Sequence, residues 1–297
     1  MIQFLIPDYT IYPNLIKLLW LLQTENPEIF LPNRSIGGTY DFLARSILNG
    51  GRCRFEGPDI YECYYLYDEY DELGIPLCHT CTNGFITEHD CYDKLSNRWL
   101  KYTENPRNRI ITQSDIFLQY IKQQYPQYKI TYSTLHPNND ELNFYNSINN
   151  SDDIIVLNYK FNNDDEFLSK IKNPSQIEII CGEPCVDNCP RRREHQILIN
   201  KLQQGDPEVK DFYRKSYCTY CDNSSLFFNS LFTNSNALTN DRIDELYNQF
   251  GFSRFKISGR GEPLNNIIDK CLYYLIKPEY RDLLREHILF TLQKTGA

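Results

Sequence analysis

The sequence has no excess of positive charge. Its 297 residues include 31 lysines and arginines against 39 aspartates and glutamates, so the formal net charge is −8. Proteins that bind phosphate backbones normally present basic stripes. The one basic cluster is the run Arg191-Arg192-Arg193. We therefore expect no nucleic-acid partner, and we expect this cluster to face a local anion.

Long apolar runs are also missing. The run Leu15 to Leu22 is too short to span a bilayer and contains Lys17. The residues that follow Met1 lack the basic leader of a secretory signal. We expect neither a membrane span nor a cleaved signal, and hence a cytoplasmic protein.

The sequence lacks the cysteine density of a disulfide scaffold. Eleven cysteines in 297 residues is a modest density, and an odd number cannot pair completely. A reducing compartment, which this composition favours, leaves thiols free to bind metal. The chain is 41% hydrophobic and can bury a large core, and no long linker divides it. We therefore predict one globular domain over residues 1–297.

Short β-rich runs alternate with amphipathic segments along the chain, which is the pattern of parallel βα units. Apolar residues recur at helical spacing after the fourth run, for example Phe117, Tyr120 and Ile121. Eight such units suit a closed (β/α)₈ barrel, and an open doubly wound sheet is the alternative. We predict the barrel, with a cysteine-bearing insertion at residues 206–236 between strands seven and eight. The predicted strands are Gln3 to Ile6, Arg34 to Gly37, Ile75 to His79, Arg109 to Thr112, Lys129 to Ser133, Asp153 to Asn158, Gln176 to Cys181 and Arg254 to Ser258.

Polar residues follow most of the predicted strands. Barrel enzymes place their chemistry where strands end and loops begin. Each polar residue alone is typical of a solvated loop, but together they indicate a site. We predict that one cavity is lined by residues from these strand ends: His79, Cys181, Glu183, Ser258 and Arg260.

Five cysteines lie at the end of the predicted strand seven or follow it. Two close-spaced pairs that a fold brings together make the four-thiolate shell of zinc or of an iron–sulfur cluster. The gap of three residues between Cys185 and Cys189 differs from a zinc knuckle, which favours a 4Fe-4S cluster. Zinc, or no metal, is the alternative. The predicted ligands are Cys185, Cys189, Cys218 and Cys221, with Cys181 as a fifth candidate.

A second group of cysteines and histidines lies between residues 78 and 91 and matches no strong metal template. Free cysteine is among the most buried residue types. We expect core or loop positions for this group. Structural roles are also expected for the isolated thiols of Cys53, Cys63 and Cys271.

The predicted end of strand eight is rich in glycine and leads through Pro263 into a helix. Glycine lets the backbone approach an anion, a helix N-terminus favours negative charge, and arginine supplies a two-pronged donor. In barrels this corner commonly holds phosphate or carboxylate. We predict that Ser258, Gly259 and Arg260 bind an anion. An ordinary turn that requires glycine is the alternative.

Two segments, Glu178 to His195 and Phe255 to Arg260, resemble the collagenase-like peptidase superfamily U32. The resemblance implies a barrel-like catalytic domain. Better understood relatives, which include anaerobic hydroxylases of ubiquinone biosynthesis and of RNA, hold a 4Fe-4S cluster on four cysteines. In this chain Cys185 and Cys189 match the motif cysteines, and Arg192 and His195 match a Cys-Pro-x-Arg-x-x-His pattern. The resemblance therefore implies an oxygen-independent oxidoreductase, not necessarily a protease.

Three functions remain open. The first is an anaerobic 4Fe-4S oxidoreductase or hydroxylase that acts on a small or peptide-like substrate, with a partner subunit or electron donor. Arg260 and Arg192 would hold the anionic part of the substrate. Since histidine titrates near neutrality, His195 and His79, together with Glu183, are the candidates for proton transfer. The second is a metal-dependent, peptidase-like hydrolase. The third is a non-catalytic accessory subunit with structural zinc.

Overall fold

The computed structural model describes residues 1–51, 55–185, 189–206, 209 and 227–294. Strands and helices alternate along these ranges. The strands are β1 (Ile2–Pro7), β2 (Arg34–Asp41), β3 (Leu77–Cys81), β4 (Arg109–Thr112), β5 (Lys129–Tyr132), β6 (Ile154–Val156), β7 (Ile177–Cys181) and β8 (Arg254–Ile257). The described α-helices are α1 (Pro13–Glu25), α2 (Ile60–Glu72), α3 (Lys94–Tyr102), α4 (Asp115–Gln124), α5 (Leu142–Tyr145), α6 (Asp165–Leu168), α7 (Arg192–Gln203), α8 (Phe227–Thr233), α9 (Asn240–Phe250), α10 (Leu264–Leu275) and α11 (Pro278–Lys294).

The strands form a closed parallel barrel in chain order. Each strand pairs with the next, and β8 closes the ring on β1, where Lys256 lies opposite Leu5. The predicted (β/α)₈ barrel is therefore confirmed. In such a barrel all strands end at one rim. The loops that follow β2, β3, β7 and β8 meet at this rim.

Three strands differ from the prediction by two or more residues at one end or both. β3 begins at Leu77 rather than at Ile75, and β2 continues past Gly37 to Asp41. β6 covers only Ile154–Val156. These differences leave the order of the strands unchanged, but they affect which residues are the last of each strand.

Successive residues of each strand point alternately toward the helices and into the barrel. Outward-facing side chains pack against the helices, where the Phe4 ring stacks on Phe255 and Tyr274 at centroid distances of 5.6 and 6.1 Å. Inward-facing side chains include a small apolar cluster of Tyr40, Cys78 and Ile111. Strands of a parallel barrel are buried on both faces. Polar side chains that point inward are therefore exceptions with a cost, and they mark the part of the interior where chemistry is expected.

Local signals in the sequence explain several helix boundaries. The Ser114 side chain accepts a hydrogen bond from the Phe117 N–H and caps α4. Asp59 and Glu62 form a capping box at the start of α2. Gly251 ends α9 in the left-handed conformation, with φ of 81°, just before β8.

The connection between β7 and β8 carries the cysteine motif and helices α7, α8 and α9. The predicted ligands Cys218 and Cys221 lie outside the described residues, and so does Cys53. Across the ranges that are described, no helix has both the length and the apolar composition needed to cross a membrane.

Candidate functional site

A cavity of about 150 Å³ opens at the rim where the strands end. Its floor is formed by the inward-facing strand residues Tyr40, Ile111, Val156, Ile180 and Lys256. Its walls and mouth come from the loops and from α7. The predicted site residues that line it are Glu183, Cys185, Cys189, Arg192, His195, Ser258, Gly259 and Arg260. The fold thus brings the cysteine motif and the glycine-rich corner to one cavity.

Arg260 forms part of the cavity wall. Its guanidinium donates hydrogen bonds to Thr80 Oγ1, to Asn49 Oδ1 at 3.4 Å and to the Gly50 carbonyl. These three acceptors are uncharged and belong to β3 and to the loop after β2. Arg260 therefore links the end of β8 to the opposite side of the rim, with its charge held at the cavity.

The glycine-rich corner is shaped by backbone geometry. Gly261 has a φ of 80°, and its N–H donates to Asp8 Oδ2 at 2.8 Å. The Ser258 hydroxyl donates to the Gly182 carbonyl and accepts a hydrogen bond from Lys270 Nζ at 3.2 Å. Since the single hydroxyl proton of Ser258 is already donated within the protein, an anion at this corner depends on Arg260 rather than on Ser258.

Arg192 begins α7 on another wall of the cavity. Its guanidinium carbon lies 3.8 Å from the centroid of the Tyr159 ring, within cation–π distance. The same group donates to Asn158 Oδ1 at 2.7 Å and to Thr134 Oγ1 at 3.5 Å. These contacts orient a positive group toward the cavity and use only neutral partners.

The loop that carries Glu183 and Cys185 is anchored by the end of the insertion. Glu183 is buried, and its Oε1 accepts a hydrogen bond from the Cys185 N–H at 3.2 Å. The Asn234 side chain donates to the carbonyl oxygens of Glu183 and Cys185 at 3.0 and 2.8 Å. Asn236 donates to the Cys185 carbonyl at 2.9 Å. Asn234 and Asn236, at the end of the predicted insertion, therefore lie beside Cys185.

Lys256 was not among the predicted site residues, yet it lies on the floor of the cavity. It is buried inside the barrel, with its ammonium 3.9 Å from the centroid of the Tyr40 ring. Burial lowers the pKa of Lys256, while Glu178 and Cys78 act in the opposite direction. The signal in the sequence is a lysine between Phe255 and Ile257, which are both apolar and face outward. A charged residue that alternates with buried apolar ones points into the barrel.

Two residues predicted to line the cavity, His79 and Cys181, face the helices instead, so that part of the prediction is wrong. Side chains of a strand alternate between faces, and it is Thr80, next to His79, that lines the cavity. Cys181 lies with its sulfur 3.5 Å from the Lys256 carbonyl, and burial raises its pKa. Cys181 therefore points away from the cavity that Cys185 and Cys189 line.

His79 belongs to a buried chain of hydrogen bonds behind the barrel wall. Its Nδ1 lies 2.8 Å from the Tyr9 hydroxyl, and its Nε2 lies 2.9 Å from Thr103 Oγ1. Thr103 Oγ1 in turn lies 2.7 Å from the Tyr128 hydroxyl. Burial lowers the pKa of His79 to about 3, so its ring is neutral at pH 7. This arrangement indicates a packing role rather than proton transfer to a substrate.

We expect His79 to make the protein less stable in mild acid. Its pKa in the folded state is about 3, below the ordinary value of 6.5, so the unfolded chain binds the proton first. The stability that this residue contributes is complete above pH 6.5 and is lost as the pH falls toward 3. Between pH 7 and pH 5 the loss is about 2 kcal/mol. The measurement is the free energy of unfolding in urea at both pH values.

The His79→Gln variant should lose that part of the pH dependence, because glutamine does not titrate. His287→Gln, which replaces an exposed histidine, is the matched control and should keep the parent's dependence. Equal pH dependence in His79→Gln and the parent would show that His79 does not titrate as the structure requires.

The thiols outside the motif that the structure describes are buried. Cys78 faces the barrel interior, and burial raises its pKa to about 12. Burial has the same effect on Cys63 and Cys271, and it raises the pKa of Cys91 to about 11. These positions agree with the structural roles expected for them. Within the described residues, no three side chains of metal-ligating type come together.

The cysteines of the motif differ from these thiols in exposure. Cys185 and Cys189 are only half-buried, and both line the cavity. His195, in the first turn of α7, is also half-buried at the same cavity. Two half-buried thiols, an imidazole and the Glu183 carboxylate therefore line one cavity, although no three of them converge on a single point.

No protein-family model matches the chain, and no curated protein matches it. The barrel is similar to the solved structure of the U32 peptidase Mk0906, with a TM-score of 0.51 over 89% of this chain and 94% of that chain. The two sequences are 12% identical over the alignment. The likeness therefore concerns the fold. The protein has the barrel fold that is also found in a U32 peptidase.

Proposed function

We propose that the protein is a 4Fe-4S oxidoreductase. Its reaction takes place at the mouth of the barrel, on a small substrate that carries an acidic group. One observation carries the proposal: Cys185 and Cys189 line the same cavity as Arg192 and Arg260. Thiols that are suited to a metal centre and cations that are suited to an acid thus share one space. The volume of about 150 Å³ is comparable to a cavity that accepts benzene, which favours a small molecule over a peptide.

The donor set fits a thiolate centre. Metals bind the deprotonated thiol, and burial disfavours that form. Among the described cysteines, Cys185 and Cys189 are the two that are not fully buried. Because no three ligands assemble within the described ranges, a four-thiolate centre requires further cysteines, and Cys218 and Cys221 supply the number. The bonds from Asn234 and Asn236 to Cys185 hold the end of the insertion beside the motif.

The chain's own groups would divide the work as follows. Arg260 and Arg192 bind the acidic group, and their anchored guanidinium planes orient it. His195 and Glu183, at the mouth, donate and accept protons at the reacting end of the substrate. When bound, a 4Fe-4S cluster supplies one-electron transfer.

The proposal is tested by purification without oxygen. We expect a brown protein whose visible absorption bleaches on reduction with dithionite. Zinc without iron would favour a different function. A colourless protein without any metal would contradict both metal-dependent functions and leave a binding role for the cavity.

The second candidate is a zinc-dependent, peptidase-like hydrolase. It is favoured by the fold shared with a U32 peptidase and by a carboxylate, Glu183, in a cavity that also has metal-ligating side chains. A hydrolase of this kind needs an open metal position and a base for water. Zinc-reconstituted protein would then cleave peptides from a mixed library, and a Glu183→Gln variant would not. Cleavage that survives chelation would contradict this candidate.

A further inference from the structure

Lys256 is a buried cation on the cavity floor without a hydrogen-bond acceptor among the described residues. Lys256 is 9% exposed, and its ammonium lies against the face of the Tyr40 ring. The Tyr40 hydroxyl is directed away, since it donates to the Ile257 carbonyl at 2.7 Å. An ammonium carries three N–H donors. None of these three donors has an acceptor oxygen among the described residues.

Such an arrangement is costly unless a ligand completes it. Buried lysine is rare without a partner, because removing an ammonium from water costs several kcal/mol. The titratable groups that influence Lys256 are Glu178 on β7, Cys78 on β3 and Arg260 after β8. No ion pair joins Lys256 to Glu178 within the described residues. The face of the Tyr40 ring favours the charged form of the lysine, but a ring offers no acceptor oxygen.

We propose that Lys256 binds the acidic group of the substrate, which enters the barrel with that group first. Lys256 is an inward residue of β8, and Arg260 lies four residues later at the rim. A carboxylate or phosphate on the floor therefore meets the ammonium from below and the guanidinium from the side. The rest of the molecule then points toward His195, Cys185 and Cys189 at the mouth. This inference rests on the proposed function in taking the cavity as the substrate site.

The alternative to acid binding is a structural role, in which Lys256 balances the charge of Glu178. Glu178 is buried, and its Oε1 has no hydrogen-bond partner. A residue needed for that balance should stabilise the folded protein. A residue held ready for a ligand should not, because its desolvation is compensated only when the ligand is bound.

The test measures binding of butyrate, butyramide and inorganic phosphate to the metal-containing protein by calorimetry. Butyrate and butyramide have similar size and differ in charge, so their comparison isolates the acidic group. We expect the parent to prefer butyrate or phosphate over butyramide by at least about tenfold, and Lys256→Met to lose that preference. The stronger of butyrate and phosphate identifies the group as carboxylate or phosphate. Lys170→Met, which removes an exposed lysine paired with Glu166, is the control and should bind as the parent does.

Three results would overturn the proposal. One is a parent protein that does not distinguish the acids from the amide. Another is a Lys256→Met variant that binds all three ligands with the parent's affinities. If Lys256→Met does not fold, Lys256→Gln is measured in its place. The third is a lower melting temperature in Lys256→Met that Glu178→Gln restores, with the preference for acid retained. Iron content is measured in each sample, so that loss of the metal centre and loss of acid binding are read separately.

Discussion

If the proposed 4Fe-4S cluster is present, the Cys189→Ser variant is expected to lose its iron. A 4Fe-4S cluster needs four thiolates, and a serine hydroxyl does not replace one under the same conditions. Iron should fall from about four atoms per chain to less than about one in protein purified without oxygen. The measurement is elemental analysis for iron and zinc together. If Cys218 and Cys221 are the other two ligands, the segment 206–236 should also become more sensitive to limited proteolysis, because it would lose its metal link to Cys189.

The matched control is Cys63→Ser, which changes a buried thiol on α2 far along the chain from the motif. Burial raises the pKa of Cys63 to about 12, so this thiol is protonated at pH 7. The control should keep the parent's iron. Unchanged iron and zinc in Cys189→Ser would end the assignment of Cys189 as a ligand.

Replacing Arg260 by alanine should weaken binding of acidic ligands by about 3 kcal/mol, roughly 150-fold, if the guanidinium pairs with the acid inside the cavity. The Arg260→Lys variant keeps the charge but not the planar fork, and it should lose about 1 to 3 kcal/mol. Calorimetric titration with butyrate, or with phosphate if that is the stronger ligand, gives both values. The metal content of both variants should equal that of the parent.

The contacts of Arg260 also define the opposite result. Its hydrogen bonds to Asn49 and Gly50 tie the loop after β2 to the end of β8. If this link is its whole role, Arg260→Ala should lower the free energy of unfolding while ligand affinity stays at the parent's value. Such a result would leave the glycine-rich corner as an ordinary turn. Asn49→Ala removes one of the loop contacts and serves as the control for a purely structural effect.

The sequence predicts the barrel well because its signals are local. β-rich runs, helix caps such as Ser114 and a helix end such as Gly251 are each decided within a few residues. Once eight parallel strands close, all of them end at one rim. The loop residues Glu183 and Arg260 could therefore be placed at a common cavity before the structure was known.

The direction of a side chain within a strand is harder to predict. The sequence predicts His79 and Cys181 at the cavity because each lies near the end of its strand, but a shift of one residue moves a side chain to the other face. β3 continues two residues past His79, so that Thr80 rather than His79 reaches the cavity. The sequence analysis does not predict Lys256, because it lies within β8 rather than at its end. Its sequence neighbours, Phe255 and Ile257, are both apolar.

The measurement that tests the central claim most directly is the ratio of iron to acid-labile sulfide in protein purified and handled without oxygen. A 4Fe-4S cluster held at the mouth of the barrel predicts about four of each per chain. It also predicts an electron paramagnetic resonance signal on reduction, and the loss of both in Cys185→Ser and Cys189→Ser. Zinc in place of iron, or full-length protein that holds neither metal under these conditions, would contradict it.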